Sequence, residues 1–312
     1  MVKKFFLGLG VVAVVAGLAF VKNSELQGRG SFSGETIKNA GIADTPVAPF
    51  INAKVVKMPK DLNLAGEPVP LNDPDVYERM DKELYVNTYF HSSTIFLIKR
   101  SHRWIPQMAS ILKQAGIPKD MIYVAAIESG FSNVISPAGA AGYWQLMKGT
   151  ARDLGLEVND EVDERFDPMK STYAACKYML ESYEKYGNWT NVAASYNMGR
   201  NGFNKAVAKQ RVSSYYDLLL NTETSRYVFR MLAVKQILKD PEAFGFYIPA
   251  SALYQPEALK EVEITETIPD LTTWALDHQI NYKTLKRYNS WLRKNTLTIK
   301  KPGKKYTIKL PA

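Results

Sequence analysis

The sequence is poor in the residues that build covalent cross-links and metal centres: one cysteine, Cys176, and three histidines, His91, His102 and His278, in 312 residues. One thiol cannot close an intramolecular disulfide, so stability has to come from packing. Cys176 falls in a helical pattern and reads as a small buried apolar residue, not as a nucleophile. The histidines lack the spacing of a metal-binding helix, and no metal or other cofactor is expected. Phosphate-binding loops are missing too, because Gly8-Leu9-Gly10 and Gly28-Arg29-Gly30 lie in an apolar run and a tether. Acid is scarce at one end: from Leu271 to Ala312, ten Lys and Arg face the single acid Asp277. That stretch alone carries +9, the formal charge of the whole chain, so the basic character belongs to the tail.

Long apolar runs are absent except for one. Lys3 and Lys4 precede Phe5 to Val21, 17 residues without charge or proline. Residues 1–22 are read as an export signal or a membrane anchor, and the two readings stay open: Gly17-Leu18-Ala19 is a weak cleavage pattern, while 17 residues only just reach across a bilayer. No cysteine follows the run, which excludes a lipid anchor. In both readings the rest of the chain is exported to the periplasm or cell envelope, with membrane association through residues 5–21 in the second. Export argues against nucleic acid as the partner of the basic tail and favours an anionic membrane face or cell-wall carboxylates.

With 46% apolar residues the chain can bury a full core. Residues 23–75, rich in proline and glycine, read as a flexible linker. From Val76 to about residue 250 the pattern is helical. One helix is defined at both ends: Asp167-Pro168 supplies cap and first turn, Gly187 the stop, and Ala175, Met179 and Tyr183 share one face. Residues 260–312 read as a small α+β module. In it Glu261–Ile268 is strand-like, Leu271–Tyr288 is a broken helix, and Leu297-Thr298-Ile299 with Tyr306–Leu310 look like a β-hairpin.

The chemistry concentrates between Ile117 and Ala151. Met121 to Ile127 is almost wholly apolar and ends on Glu128-Ser129-Gly130. A carboxyl there, facing a cleft, would lose solvation in its charged form and keep its proton near neutrality, as an acid for a glycosidic oxygen must. On this stretch alone a solvent-facing acid at a helix end reads at least as well. The six acids from Glu157 to Asp167 are searched as a second carboxylate and read instead as a solvated loop, with Asp167 as a helix cap.

Four motifs in order change the balance. Glu128-Ser129, Gly142-Tyr143-Trp144-Gln145, Ser195-Tyr196-Asn197 and Glu223-Thr224-Ser225-Arg226-Tyr227-Val228 resemble the successive motifs of the family 1 lytic transglycosylases. Within that family the likeness is greatest to the membrane-bound type D group. Tyr143 stands where the family has leucine and Ser195 where it has alanine. The resemblance, over about 81–246, implies a mainly α, goose-lysozyme-like (SLT) catalytic domain. It further implies cleavage of peptidoglycan glycan strands with Glu128 as the sole catalytic acid and base. Ser129, Gln145, Tyr196 and Asn197 are implied to line the cleft, and Tyr227 to lie close to the acid. Tyr143 and Trp144 are added as substrate contacts, with the alternative that Trp144 and Trp189 are core aromatics. Glu223 is read as positioning the loop near Tyr227. Thr272-Thr273-Trp274-Ala275, Tyr282-Lys283-Thr284-Leu285 and Lys301-Pro302-Gly303 resemble a degenerate lysin motif, which implies a peptidoglycan-binding C-terminal module.

Overall fold

The computed structural model describes residues 55–312, and the apolar run and most of the linker lie outside them. No helix among the described residues is long and apolar enough to cross a membrane. A two-stranded hairpin, β1 (Asn63–Leu64) and β2 (Glu67–Pro68), precedes α1 (Pro74–Tyr89) and α2 (His91–Gln114). The helical part continues with α3 (Tyr123–Ser129), α4 (Lys148–Asp153), α5 (Pro168–Tyr186), α6 (Trp189–Met198), α7 (Arg200–Gln210) and α8 (Thr222–Lys239). Strand β3 (Leu259–Ile264), helices α9 (Leu271–Asp277) and α10 (Tyr282–Tyr288), and β4 (Tyr306–Pro311) complete the chain.

Capping sets the helix starts. Asp73 accepts from the amides of Asp75 and Val76 ahead of Pro74, and Asp167 accepts from Met169 and Lys170 ahead of Pro168, each satisfying donors that the first turn leaves open. Gly187 ends α5 at φ 67°, as its sequence position predicts, and Cys176 is buried. Helix α1 packs along α8, with Met80, Leu84, Met108, Leu112, Met121, Phe203 and Phe229 at the centre of the core.

The last part of the expected linker belongs to this unit. Leu62 and Leu64 are buried in the same core, and the Glu67 carboxylate accepts from the amides of Trp189 and Thr190 at 2.5 and 2.9 Å, a second cap for α6. Two residues per strand are too few to show a period, so the sequence pattern hid them.

The C-terminal segment is a βααβ arrangement, not the expected hairpin. Strand β4 pairs antiparallel with β3, Ile264 opposite Tyr306, while Leu297 bridges Ile268. Its apolar side chains form one cluster with Ala141, Val162 and Phe166 of the helical part. The acids read as solvated are the ties. Glu161 accepts from Thr296 Oγ1, Thr298 N and Thr298 Oγ1 at 2.9–3.1 Å, and its carbonyl from Arg293 N at 2.7 Å. Glu157 accepts from the Tyr306 hydroxyl at 3.0 Å, and Asp163 and Glu164 are buried. Acid-rich spacing marks a loop, but the partners that desolvate this one come from more than a hundred residues further along.

Glu161→Ala removes three accepted hydrogen bonds and should cost about 1–3 kcal/mol, a fall of roughly 2–4 °C per kcal/mol in a chain of this size. Thermal unfolding measures it, and an unchanged midpoint would show that the segment is not tied at this point.

Candidate active site

Helix α3 is short because Gly130 ends it in the left-handed region, at φ 57°. Val124, Ala125 and Ala126 bury one face of it against the core, which leaves Glu128 partly open on the other. The Tyr227 hydroxyl, projecting from α8, donates to Glu128 Oε1 at 2.6 Å. Burial pushes the Glu128 carboxyl up to about 7; Tyr227 and then Arg230 pull it down, and the charge of Glu223 pushes it up again. Tyr196 and Tyr227 are themselves driven well above the usual phenol range, by burial first and by the Glu128 charge second, so both stay protonated donors.

A rigid loop holds the rest. Gly142, at φ 81°, packs so closely that a Cβ there would lie 1.8 Å from the Arg165 carbonyl oxygen, which only glycine allows. Arg165, buried, is gripped by Asp163 at 2.9 and 2.7 Å and donates onward to the carbonyls of Gly139 at 2.9 Å and Leu146 at 3.0 Å. The loop then presents its own carbonyls: Tyr143 O accepts from Ser129 Oγ at 2.7 Å, and Trp144 O accepts from the Tyr196 hydroxyl at 2.8 Å. Gln145 sits at φ 48°, its amide donating to Val134 O and Gly142 O, and is therefore oriented by the loop it belongs to.

Glu128, Ser129, Tyr196 and Tyr227 thus gather at one place. Asn197 stands at the junction of α6 and α8, accepting from Thr224 Oγ1 at 2.7 Å and donating to Glu223 Oε1 at 3.2 Å. Trp144 does not join them. It is wholly buried, its indole donating to Thr172 Oγ1 at 2.8 Å, so it is a core aromatic and offers no face to a sugar. Trp189 is likewise buried, stacked on Tyr183. Tyr143 is nearly buried, edge-on to Trp104, and lines a different cavity.

Arg230 was missed. It donates to Ile127 O at 3.2 Å and its charge acts on Glu128, and its place one turn after Tyr227 on α8 is the available signal. A cavity of about 390 Å³ is lined among others by Phe96, Arg100, Arg230 and the two chain neighbours of the acid, Ile127 and Ser129, but not by Glu128 itself. Among the described residues no group of His, Cys, Asp or Glu is assembled to hold a metal.

This geometry, one desolvated carboxyl held by a phenol at the end of a short helix, meets a family match at residues 108–218. The matched model is that of the transglycosylase SLT domain. Residues 260–312 match the soluble lytic transglycosylase C-terminal LysM-like domain. Tyr227 and Arg230 fall beyond the first match, although the structure brings them to the acid. The membrane-bound lytic murein transglycosylase D of Escherichia coli (strain K12) is 29% identical over 235 residues, 73% of this chain and 50% of the relative. The chain thus spans about half the length of that relative. A protein of Alteromonas sp. (strain M-1) named for tributyltin chloride resistance is 23% identical over 148 residues, 46% of this chain and 72% of its own length. A solved structure of the lytic transglycosylase Slt from Pseudomonas aeruginosa is 20% identical, with a TM-score of 0.37 over 49% of this chain and 26% of that one. The expectation of a mainly helical SLT domain with a small α+β module agrees with the matches and with the observed elements.

The raised Glu128 makes folding depend on pH. The unfolded carboxyl ionises near 4.5 and the folded one near 7, so between those values unfolding releases a proton and stability falls as pH rises. Glu128→Gln removes that loss: it should be more stable than the parent by about 1–3 kcal/mol at pH 8 and gain nothing at pH 4. Denaturant melts at the two pH values check this, and an equal effect at both would mean that the carboxyl is not desolvated.

Proposed function

We propose that the chain is a peptidoglycan lytic transglycosylase that cleaves the β-1,4 bond between N-acetylmuramic acid and N-acetylglucosamine without adding water. Glu128, protonated near neutrality, gives its proton to the glycosidic oxygen as the C1–O bond breaks. The carboxylate left behind takes the proton of the muramoyl C6 hydroxyl as that oxygen closes on C1, and the product is a 1,6-anhydromuramoyl end. Each proton lent is returned to the same residue, so one carboxyl suffices.

The observation that carries this reading is that Glu128 stands alone. Among the described residues, Glu223 is the one acid whose charge acts on it, and Glu223 is engaged with Asn197. The acids considered for a second role are committed elsewhere, Asp163 to Arg165, Glu164 to Lys170 and Glu161 to the C-terminal threonines. Tyr227 and Arg230 suit a carboxyl that alternates between its two forms, because a phenol donates to both and the guanidinium steadies the anion. Ser129, Gln145, Tyr196 and Asn197 are proposed to shape the cleft about the bond. The LysM-like segment is proposed to hold the wall, and the N-terminal run to place the enzyme in the envelope as exported or anchored.

Glu128→Gln should lower release of anhydromuropeptides from purified sacculi by about 10²–10⁴ or more, with folding intact. In the parent, kcat should decline as pH rises above about 7, where the acid loses its proton. Mass spectrometry of the products decides the reaction class: fragments heavier by one water would make the chain a hydrolase.

A further inference from the structure

A second cavity, of about 290 Å³, lies at the seam between the helical part and the C-terminal module. Its inner wall is apolar, with Trp104, Phe131 and Met169, and its charged lining is one-sided. Helix α2 contributes Arg100 and Arg103, α10 contributes Arg287 and β4 contributes Lys309, against the single acid Glu257. That acid is already shared: its carboxylate accepts from Arg103, Arg287 and the Tyr288 hydroxyl. Arg100 donates to Gly130 O at 3.4 Å and lies over the Phe96 ring but meets no carboxylate, and among the described residues the Lys309 ammonium has no partner, although the Lys309 backbone is fixed by Asn289. Two cations therefore line a cavity without a counter-charge, and the wall beside them already accommodates a carboxylate.

Arg100 also lines the cavity bordered by Ile127 and Ser129, the residues on either side of Glu128 in the chain, so the two spaces meet at one side chain. We propose that the seam cavity binds the carboxylate-bearing peptide branch that a muramoyl residue carries when its glycan lies along Glu128, an inference that rests on the function proposed above. A glycan backbone of neutral sugars has no use for uncompensated cations. The peptide branch has free carboxylates for Arg100 and Lys309 and aliphatic carbons for the apolar wall. The volume is at the lower edge of small-ligand sites, roughly 300 Å³, which suits a few residues of a peptide and not a sugar strand. Both parts of the chain contribute the site, so it exists only when the C-terminal module is docked.

The test uses the full chain and Lys309→Gln, a change that leaves the backbone bonds of β4 in place. Binding of the free stem tetrapeptide, L-alanyl-γ-D-glutamyl-meso-diaminopimelyl-D-alanine, is measured by calorimetry. Turnover is measured on soluble glycan strands before and after an amidase removes their stems. The expected result is peptide binding that weakens about three- to tenfold in the variant, with KM rising by a similar factor on stem-bearing strands. The ratio of turnover on stem-bearing to bare strands should fall towards one. Peptide that does not bind the parent, or binds parent and variant equally, overturns the proposal. If neither substrate is cut by the parent, it is the glycan-cleaving reading that fails, and the calorimetry still decides whether the cavity takes the peptide.

Discussion

The buried guanidinium of Arg165 is the constraint on which the site depends. A cation out of water is costly unless its donors are used, and here Asp163 takes two of the five while the carbonyls of Gly139 and Leu146 take two more. Because both carbonyls belong to one loop, satisfying the charge also fixes that loop. Gly142 closes the fit by letting the backbones touch, and Ser129 and Tyr196 are then anchored on the loop's own carbonyls. The position of the acid is thus inherited from an ion pair that contacts none of the reacting groups.

The same physics acts twice on Glu128. Loss of solvation keeps a proton available near neutrality and also makes the ionised form expensive to fold, so reactivity and instability are one quantity seen from two sides. The phenol of Tyr227 and the guanidinium of Arg230 moderate it. They lower the carboxyl without cancelling the desolvation, and leave it poised between its forms.

What could be read from the residues was local. Asp167, Pro168 and Gly187 bound a helix through their own backbone chemistry, and Glu128 betrays itself as an acid closing an apolar run. The order of the motifs then brought Tyr196 and Tyr227 into view. Hidden were the features whose partners are remote: Leu62 and Leu64 docking from a proline-rich stretch, the ties of Glu157 and Glu161 to residues near the C-terminus, and the pairing of β4 with β3 across more than forty residues. Trp144 shows the limit from the other side. An aromatic beside a glycine suits a sugar platform or a core equally well, and only the Thr172 hydroxyl behind it settles which.

The cluster that Ala141, Val162 and Phe166 form with the C-terminal strands and helices leaves no hinge at that seam. A gripping module on a loose tether lets the cutting centre wander over whatever lies within reach. On the function proposed above, one that shares a core with the cutting centre would behave as a ruler: wherever it took hold, the carboxyl would come to rest at a constant offset along the strand.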